Sequence, residues 1–293
     1  MPELPEVETV RRGLDPFLRG ARIERVTLYR ENLRFAFPQG FATALAGQTI
    51  ETLDRRAKYL LFTLSGGAVW LTHLGMTGAY LVSDHPIAEP SRRDEGDKSG
   101  RHVHLAARLV HPHHGPLTLS YADPRRFGFM GLYAPDAANP FTAPLGPEPL
   151  GNQLSADGLA SALQGRKGPI KTLLLDQRII AGLGNIYVCE ALHRAGIDPR
   201  RPGGSVVALN GAPGTELLAL VPAIRGVLEE ALEAGGSTLR DFRTSDGTPG
   251  YFQHSFAVYG REGEPCLKPR CGGTVARIVQ AGRSSFFCPS CQH

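Results

Sequence analysis

The segment 266–291, "CLKPRCGGTVARIVQAGRSSFFCPSC", contains the most specific pattern in the chain. It holds a C-x4-C pair and a C-x2-C pair, and the sixteen residues between the pairs have the character of a hairpin. Four thiolates in two such pairs form a closed tetrahedral zinc site, which is structural because no coordination position is left open. Two disulfides are the alternative, but disulfides are rare in the cytosol. The pattern therefore predicts one structural Zn²⁺ with four ligands: Cys266, Cys271, Cys288 and Cys291.

The composition is that of an ordinary globular protein of 293 residues, a length that favours two domains. Hydrophobic residues make up 42% and charged residues 20% of the chain, and its net charge of +4 is compatible with a polyanionic partner. The first residues lack the basic and then apolar pattern of a signal peptide, and no apolar run approaches the roughly 18 residues of a membrane span. We therefore expect a cytoplasmic protein with no membrane partner.

The first half of the chain consists largely of short alternating apolar runs. Glycine, proline and aspartate separate these runs, which include "RIERVTLYR" (22–30), "YLLFTL" (59–64) and "VHLAARLVH" (103–111). Many short strands with turn signals between them predict a β-sandwich or a β-barrel. The polar stretch 83–101 interrupts the pattern and predicts a surface loop. Prolines and glycines cluster at 140–155, where we place a domain boundary.

Helical spacing dominates the second half of the chain. Helices are predicted from Pro169, from Asn185 as an N-cap, and over 216–234, where apolar residues recur at intervals of three and four. The glycines of "IAGLGNIYV" (180–188) do not match a dinucleotide-binding fingerprint, because the third glycine is absent and a helix rather than a strand precedes them. No nucleotide cofactor is therefore expected. The backbone N–H groups and Asn185 at this helix start suit a phosphate group.

The opening residues "PELPEVETV" (2–10) predict a helix with carboxylates on its inner face. At about 100° per residue, three residues form one apolar stripe: Val7, Val10 and Leu14. Acidic residues favour any helix N-terminus, and this preference is sufficient for Glu8, which points the other way. It does not explain why Glu3 and Glu6 lie on or beside the apolar stripe. Carboxylates there are expected to line a cleft, where desolvation raises a pKa towards general-acid use.

Pro2 places a second reactive group beside Glu3. A small residue in the second position usually allows Met1 to be removed, and the chain would then begin with a secondary amine. An α-amino group has an ordinary pKa near 8 against about 10.4 for lysine, so a larger fraction of it is unprotonated at neutral pH. Condensed with a sugar C1′, a secondary amine gives an iminium ion that promotes elimination of the groups β to it. A proline that merely protects the terminus is the alternative.

The segment "PELPEVETVRRGL" (2–14) resembles the amino terminus of the formamidopyrimidine-DNA glycosylases. Further motifs match in the same order along the chain: "RRAKYLLF", "THLGMTG", "YADPRRFGFM", "IAGLGNIYV" and the cysteine-rich tail. Members of this bacterial family excise oxidised purines such as 8-oxoguanine and then cut the abasic site. The resemblance implies a bifunctional glycosylase and abasic-site lyase that acts on damaged double-stranded DNA through a Schiff base on Pro2, with β,δ-elimination.

The resemblance also implies roles for individual residues. Pro2 would attack C1′ of the flipped nucleotide, Glu3 would supply and shuttle protons, and Glu6 would support this arrangement. Lys58 would contact a phosphate and assist the chemistry, and Arg283 would grip the phosphates around the lesion as a further catalytic residue. Three more residues would contact phosphates: His73, Asn185 and Tyr259. Extrusion of a nucleotide from the duplex costs a few kcal/mol of stacking. Three residues would fill the gap that it leaves: Met76, Arg125 and Phe127.

The implied fold class is α+β. It comprises an N-terminal β-sandwich with the catalytic helix (1–145), a helical domain with a helix-two-turns-helix element (146–260), and a zinc-ribbon hairpin (261–293). The resemblance also places a lid over the extruded base at 243–253. A monomer in the bacterial cytoplasm, associated with the nucleoid through DNA binding, is expected.

Two other functions fit parts of the sequence. The sister branch of the endonuclease VIII type acts on oxidised pyrimidines, but its members typically begin with "PEGPE", whereas this chain has "PELPE". From a different class, a non-catalytic zinc-ribbon protein that binds nucleic acid is the alternative. Such a protein would form no covalent adduct with abasic-site DNA, which distinguishes it from the enzyme.

Overall fold

The computed structural model describes four stretches of the chain: 2–84, 102–135, 137–237 and 251–293. Most of the surface loop predicted at 83–101 and most of the lid predicted at 243–253 therefore lie outside the described residues.

The chain divides into two compact units, each with its own hydrophobic core. The first unit comprises Met1–Pro140 with Gly235–Gly250, and the second comprises Phe141–Ala234 with Tyr251–His293. The cysteine-rich residues thus belong to the same unit as the helices of the second half. Within the described stretches, no helix has both the length and the apolar character needed to cross a bilayer.

The first unit contains two antiparallel four-stranded sheets. Its strands are β1 (Arg22–Leu28), β2 (Ile50–Arg56), β3 (Tyr59–Leu64), β4 (Val69–His73), β5 (Ala79–Ser83), β6 (Val103–His111), β7 (Gly115–Ala122) and β8 (Phe129–Tyr133). One sheet has the strand order β1-β6-β7-β5 and the other has the order β2-β3-β4-β8. Helix α1 (Leu4–Leu18) and the short helix α2 (Phe41–Leu45) complete the unit. The predicted β-sandwich is confirmed.

Alternating burial along the strands builds the core of this unit. In β3, Leu60, Phe62 and Leu64 are buried, whereas the residues between them are half-buried. Because side chains alternate across a strand, the sequence period of two places one set on the core face. Trp70 of β4 belongs to the same core and stacks on Phe62, with ring centroids 4.5 Å apart.

Helix α1 packs its predicted apolar stripe against this core. The three residues of the stripe are at most 3% exposed: Val7, Val10 and Leu14. Glu3 and Glu6 are 4% and 2% exposed, whereas Glu8 is half-buried. The helical phase predicted from the sequence, with two carboxylates on the inner side, is therefore confirmed.

The second unit contains four helices and a hairpin among its described residues. The helices are α3 (Ala156–Leu163), α4 (Ile170–Leu174), α5 (Asn185–Ala195) and α6 (Thr215–Glu233), with 3-10 turns at Gly203–Val206 and Phe252–Ser255. Pro169 is the N-cap of α4 and not its first helical residue. Asn185 was expected as the N-cap of α5, but the extended backbone of Gly184 occupies that position and Asn185 is the first helical residue.

The hairpin of the second unit consists of β9 (Ala276–Gln280) and β10 (Arg283–Phe287). Gln280 pairs with Arg283 across a two-residue turn, in which Ala281 and Gly282 have φ angles of 47° and 73°. Positive φ at both central residues is the turn geometry that matches the twist of two-residue hairpins. Arg283 is therefore fixed at the tip of the hairpin as the first residue after the turn.

Candidate functional site

The carboxylate of Glu6 accepts hydrogen bonds from Glu3, at the start of α1, and from the distant Ser237. Its Oε2 accepts the N–H of Glu3, the N-cap of α1, at 2.8 Å. Its Oε1 accepts the N–H and the hydroxyl of Ser237 at 2.8 and 3.0 Å. The neighbouring Gly236 has φ +83°, and a Cβ there would lie 3.2 Å from the Glu6 side chain. Glu6 thus connects the beginning of α1 to Ser237, which lies 231 residues further along the chain.

Glu3 has a different position from Glu6, although both are buried. It follows directly after Pro2, which is also buried, and it begins the helix as the N-cap. The structure therefore places a buried glutamate at the N-cap, directly after Pro2 in the chain.

Lys58 lies in the tight turn between β2 and β3 and is 7% exposed. The preceding Ala57 has φ 52°, a conformation uncommon for residues other than glycine. Arg55 holds this turn, since its guanidinium donates to the Ala57 carbonyl at 3.1 Å and to the Glu8 carboxylate at 3.2 Å. The outward face of α1 thus anchors the turn that carries Lys58.

Glu8 is the centre of a small ionic network and not only a favourable charge at a helix start. Burial raises the pKa of its carboxyl group, but hydrogen bonds and charges from three arginines reverse this, so the pKa lies below its ordinary value. The three residues are Arg11, Arg12 and Arg55. The sequence indicated only the general preference of acidic residues for helix N-termini, because Arg55 is distant in sequence.

His73 ends strand β4 with its ring between two aromatic neighbours. It stacks on Phe129 at 5.3 Å and contacts Tyr59 at 5.2 Å between ring centroids. Burial, and then the charges of Lys58 and Arg34, lower the pKa of His73 from 6.5 to about 4. His73 is therefore neutral at pH 7.

The tautomer of neutral His73 follows from its hydrogen bond. Nδ1 lies 3.0 Å from the N–H of Gly75 and accepts from it. The ring proton of the neutral imidazole must then be on Nε2. An Nε2–H group beside the cations Lys58 and Arg34 is suited to donate to an anion such as a phosphate.

The three residues expected to fill the gap left by a nucleotide occupy two adjacent turns of the first unit. Met76 lies in the turn between β4 and β5, and Arg125 and Phe127 lie between β7 and β8. The Arg125 guanidinium lies over the Phe127 ring, 4.8 Å from its centroid, and the ring is 44% exposed. An exposed aromatic ring paired with an arginine at a turn presents both an apolar surface and donors to a partner.

Asp123 and Thr77 connect these two turns. The buried Asp123 carboxylate accepts the Thr77 hydroxyl through Oδ1, and it accepts the Gly128 N–H at 2.8 Å through Oδ2. The Thr77 hydroxyl oxygen in turn accepts the N–H of Arg125 at 3.2 Å. The turns also approach closely, since a Cβ on Gly75 would lie 2.3 Å from the Gly128 nitrogen.

In the second unit, Asn185 and Tyr259 lie beside the hairpin strand that begins with Arg283. The Asn185 amide nitrogen donates to the Ser284 carbonyl at 2.9 Å and to the Tyr259 hydroxyl at 3.4 Å. The Lys171 ammonium, which is buried, donates to the same Ser284 carbonyl at 3.1 Å. The structure thus brings together three of the predicted phosphate-binding residues.

The Asn185–Tyr259 contact also orients the tyrosine. An amide nitrogen donates and cannot accept, so the Tyr259 oxygen is the acceptor in this contact. The hydroxyl proton of Tyr259 is therefore directed away from Asn185. Arg283 at the hairpin tip is exposed.

Glu190 of α5 fixes the backbone around Tyr259. Its carboxylate is 1% exposed and accepts three consecutive N–H groups at 2.8 to 3.0 Å, those of Ala257, Val258 and Tyr259. A buried carboxylate that accepts several backbone N–H groups can be desolvated without losing its hydrogen bonds. Glu190 is thus a support of the predicted DNA-binding residue on the next segment.

The four tail cysteines form the predicted metal site. Their Sγ atoms all lie within 4.8 Å of one another, with 3.8 Å between Cys266 and Cys291 and 3.6 Å between Cys271 and Cys288. Zinc–sulfur bonds of about 2.3 Å in a tetrahedron require sulfur–sulfur distances of about 3.8 Å, whereas a disulfide requires about 2.05 Å. The donor set therefore fits a structural Zn²⁺. The fifth cysteine, Cys189, is buried in the helical core.

Several residues that support the site were not singled out from the sequence. They include Arg34, whose charge acts on His73, Thr77 and Asp123 between the two turns, Lys171 at the hairpin, Glu190 in α5 and Ser237 beside Glu6. Lys171 and Glu190 carried a signal, since each is a charged residue within a mainly apolar stretch of a predicted helix. Arg34 lies in an irregular segment and carried none.

Family models match three parts of the chain. The model of the formamidopyrimidine-DNA glycosylase N-terminal domain matches residues 1–130, and the model of the H2TH domain of the same glycosylases matches residues 145–243. A zinc-finger model found in FPG and IleRS matches residues 263–293.

Curated relatives match the chain over its full length. The chain is 52% identical over 297 residues to a formamidopyrimidine-DNA glycosylase of Brucella canis and 51% identical over 302 residues to one of Agrobacterium fabrum. It is 53% identical over 294 residues to one of Ruegeria pomeroyi. Each alignment covers 100% of this chain and 100% of the relative.

Solved structures have the same fold along the whole chain. The crystal structure of the MutM (Fpg) protein from Thermus thermophilus is 42% identical with a TM-score of 0.80, and the match covers 99% of this chain and 98% of that chain. Lactococcus lactis Fpg in complex with abasic-site DNA is 33% identical with a TM-score of 0.82, and MutM with carbocyclic 8-oxo-G DNA is 32% identical with a TM-score of 0.82. The last two matches cover 100% of both chains.

Proposed function

The chain belongs to the formamidopyrimidine-DNA glycosylase family, and we propose that it excises oxidised purines from double-stranded DNA and then cuts the abasic site. Related structures solved with an abasic-site DNA and with a carbocyclic 8-oxo-G DNA support this substrate class. The observation that carries the proposed chemistry is a buried carboxyl group, Glu3, at the N-cap directly after Pro2.

Pro2 is the nucleophile of the proposed reaction. With Met1 removed, its nitrogen lone pair attacks C1′, and the electrons of the bond to the base leave with the base, which takes up a proton. The attacking nitrogen then gives up its proton, and its lone pair displaces the protonated sugar ring oxygen, which opens the ring and leaves an iminium ion between Pro2 and C1′. Loss of a proton from C2′ expels the 3′ phosphate, and a second elimination expels the 5′ phosphate. Water finally releases the sugar fragment from Pro2.

Glu3 carries the protons in this sequence, and Glu6 holds the site in place. Glu6 accepts three hydrogen bonds from Glu3 and Ser237, so donors of the protein already occupy both of its carboxylate oxygens. Glu3 is adjacent to the nucleophile in the chain and buried, where a carboxyl group is suited to donate a proton to the sugar oxygen and take one back. We therefore assign proton transfer to Glu3 and positioning to Glu6.

Lys58 and His73 bind the DNA backbone near the reacting sugar in our proposal. The charge of Lys58 contributes to the lowered pKa of His73, which supports a shared role for the two groups. Together they offer an ammonium group and a neutral Nε2–H donor, and Arg34 adds a second cationic group. Such a set of donors neutralises phosphate charge and fixes the register of the duplex without reading its sequence.

Met76, Arg125 and Phe127 take the place of the extruded nucleotide. Flipping a base costs a few kcal/mol of stacking, and apolar wedges inserted between base steps offset part of that cost. The exposed Phe127 ring supplies the apolar surface, and the Arg125 guanidinium over it supplies donors for the orphaned base. The Asp123–Thr77 contacts support this assignment because they fix both turns before DNA binds.

The second unit supplies further phosphate contacts from Asn185, Tyr259 and Arg283. Lys171 and Asn185 both hold the Ser284 carbonyl, which fixes the residue after Arg283. Arg283 itself extends from the hairpin tip, where its guanidinium can bind phosphates bidentately. Zn²⁺, held by the four tail cysteines, supplies rigidity to the hairpin and takes no part in the reaction.

Three further assignments are part of the proposal. The chain acts as a monomer, and in the bacterial cell it is cytoplasmic and associated with the nucleoid through its DNA substrate. It is organised as a catalytic sandwich (1–145), a helical domain (146–260) and a zinc finger (261–293). The matched family domains at 1–130, 145–243 and 263–293 support this division.

The proposed function is tested by trapping the covalent intermediate. Incubation with abasic-site duplex and borohydride is expected to give a covalent protein–DNA adduct with the natural chain, because the iminium ion is reducible. The Pro2→Gly variant is expected to give far less adduct while still binding an uncleavable abasic-site analogue. If the natural chain neither cuts nor traps abasic-site DNA, the non-catalytic zinc-ribbon alternative is correct.

Substrate class is tested separately with defined lesions. We expect faster excision of 8-oxoguanine and ring-opened purines than of oxidised pyrimidines in otherwise identical duplexes. A preference for pyrimidine lesions would instead assign the chain the specificity of the endonuclease VIII type.

A further inference from the structure

The last turns of helix α5 bring a histidine to the zinc ligands. His193 is 5% exposed, and its Nε2 lies 3.3 Å from Cys266 Sγ and 3.9 Å from Cys291 Sγ. The two sulfurs are 3.8 Å apart and belong to different cysteine pairs of the tail. His193 therefore faces the edge of the sulfur tetrahedron that joins the two pairs.

A donor is needed at this position when the metal is bound. Zn²⁺ with four thiolates carries a net negative charge, and partly buried thiolates without hydrogen-bond donors are poorly solvated. The backbone N–H of Lys268 supplies one donor to Cys266 Sγ at 3.5 Å. The Nε2 atom of His193 is nearer to the same sulfur, and in one of its two neutral tautomers it carries a proton.

We propose that His193 donates its Nε2–H to the Cys266 thiolate, with Cys291 as the second sulfur in reach, and so stabilises the zinc centre from outside the ligand set. His193 is a positioning residue in this role and not a ligand, because four cysteines already complete the tetrahedron. Partners of this kind orient metal ligands, and their removal typically costs about 10–100-fold in metal affinity.

The position of His193 also links the metal to the helix that carries Asn185. Helix α5 contacts the hairpin strand at its beginning, where Asn185 donates to the Ser284 carbonyl, and it contacts the zinc ligands at its end through His193. Just beyond the helix, the Gly196 carbonyl accepts the N–H of His293 at 3.0 Å. Helix α5 therefore contacts the hairpin at one end and the zinc ligands at the other.

The proposal is tested by the rate of zinc transfer to an excess of a chromophoric chelator from the full-length chain. His193→Phe keeps the ring volume but removes the N–H, and we expect zinc loss to be about tenfold faster or more. His193→Gln retains an N–H donor at a similar reach and is expected to stay within about threefold of the natural chain. His111→Phe is the matched control, since His111 is equally buried at 5% but lies in the first unit.

Three outcomes of the transfer experiment would overturn the proposal. They are zinc loss from His193→Phe at the natural rate, equally fast loss from His193→Gln and His193→Phe, and an equal acceleration by His111→Phe. A natural rate in His193→Phe would show that His193 does not retain zinc. Equal rates in the two His193 variants would show that ring packing, and not the N–H donor, retains it. Acceleration by His111→Phe would show that the loss of any buried histidine has this effect.

A measurement on the natural chain keeps the proposal testable if the variants do not fold. In the ¹¹³Cd-substituted protein with ¹⁵N-labelled histidine, we expect the Nε2-protonated tautomer of His193 and a through-bond correlation between its Hε2 and ¹¹³Cd. An Nδ1-protonated tautomer, or direct ¹⁵N–¹¹³Cd coupling of ligand size, would contradict it. Neither readout depends on DNA cleavage, so failure of the proposed enzymatic function would leave this result unaffected.

Discussion

Glu3 and Glu6 are three residues apart and both buried, yet their surroundings assign them different tasks. The Glu6 carboxylate accepts three hydrogen bonds, from the N–H of Glu3 and from two donors of Ser237. Glu3 is the residue adjacent to the nitrogen of Pro2 in the chain. The two glutamates therefore provide a matched pair for separating chemistry from positioning.

The Glu3→Gln variant is expected to lose catalysis and keep its fold. Without a carboxyl group to transfer protons, the single-turnover rate of abasic-site cleavage should fall by about 10²–10⁴-fold. Affinity for an uncleavable abasic-site duplex should stay within a few-fold. A natural cleavage rate in this variant would contradict the assignment of proton transfer to Glu3.

Glu6→Gln, in contrast, should lower stability. A glutamine amide nitrogen cannot accept, so one of the donors now bound to Glu6 loses its partner, at a cost of about 1–3 kcal/mol in the free energy of unfolding. The fluorescence of Trp70, which is the single tryptophan and lies in the first unit, reports this unfolding. An unchanged free energy of unfolding would show that Glu6 does not hold the helix start.

His73 makes a testable contribution to the pH dependence of stability. Its pKa is about 4 in the folded chain, so the native state binds fewer protons than the unfolded state, whose histidine titrates near 6.5. This group therefore costs stability as the pH falls from 6.5 towards 4. Between pH 7 and pH 5 the loss should be about 2 kcal/mol. The His73→Gln variant, which does not titrate, should show a correspondingly smaller loss, and equal losses in both chains would refute the proposed neutral state.

The sequence predicts these residues to different extents. Helical phase is a local property, so the inward position of Glu3 and Glu6 follows from the spacing of Val7, Val10 and Leu14. The Glu6–Ser237 contact joins positions 231 residues apart, and no local pattern encodes it. Long-range partners of this kind distinguish Glu6, which we assign to positioning, from Glu3, which we assign to proton transfer.

At the scale of elements, the two turns that carry Met76, Arg125 and Phe127 act as one rigid feature. Their connection is the contact chain of Asp123 and Thr77. Asp123 followed by Pro124 is a pattern typical of a turn, but the sequence does not indicate the side-chain partners of Asp123. Turn formation depends on neighbouring residues, whereas the partners depend on how β4 and β8 pair, which the sequence does not show.

Thr77 allows this connection to be tested with two close variants. Thr77→Val removes the hydroxyl and keeps the shape, so it breaks the contacts to Asp123 and Arg125. We expect its affinity for lesion-containing duplex to fall by about 5–10-fold, corresponding to about 1 kcal/mol for a lost hydrogen bond. Thr77→Ser keeps the hydroxyl and should bind like the natural chain. Equal affinities of Thr77→Val and Thr77→Ser in a fluorescence anisotropy titration would show that the Thr77 hydrogen bonds do not contribute to DNA binding.

At the scale of the whole molecule, the ligands and the hairpin of the zinc module could be predicted from the sequence, whereas the packing of this module against the helices could not. Four cysteines at fixed spacing constrain a small module strongly, so ligands and hairpin followed from the sequence. That the module shares a compact unit with the helices depends on contacts such as those of His193, Asn185 and Lys171, which are made between distant segments.

Loss of zinc should weaken DNA binding more than it changes the chemistry of Pro2. Cys288→Ser removes one ligand, and we expect the Kd for abasic-site duplex to rise on the order of tenfold, because the hairpin that carries Arg283 is no longer held. The single-turnover rate at saturating DNA should change much less. Full affinity in a variant shown by metal analysis to be zinc-free would contradict this expectation.

The central claim, that Pro2 is the nucleophile, is tested most directly by locating the covalent bond. The adduct trapped with borohydride on abasic-site DNA should be digested and the modified peptide sequenced by mass spectrometry. We predict that the peptide begins at Pro2, lacks Met1 and carries the sugar fragment on the proline nitrogen. A fragment attached to Lys58 or to another lysine, with the Pro2 nitrogen unmodified, would contradict the account.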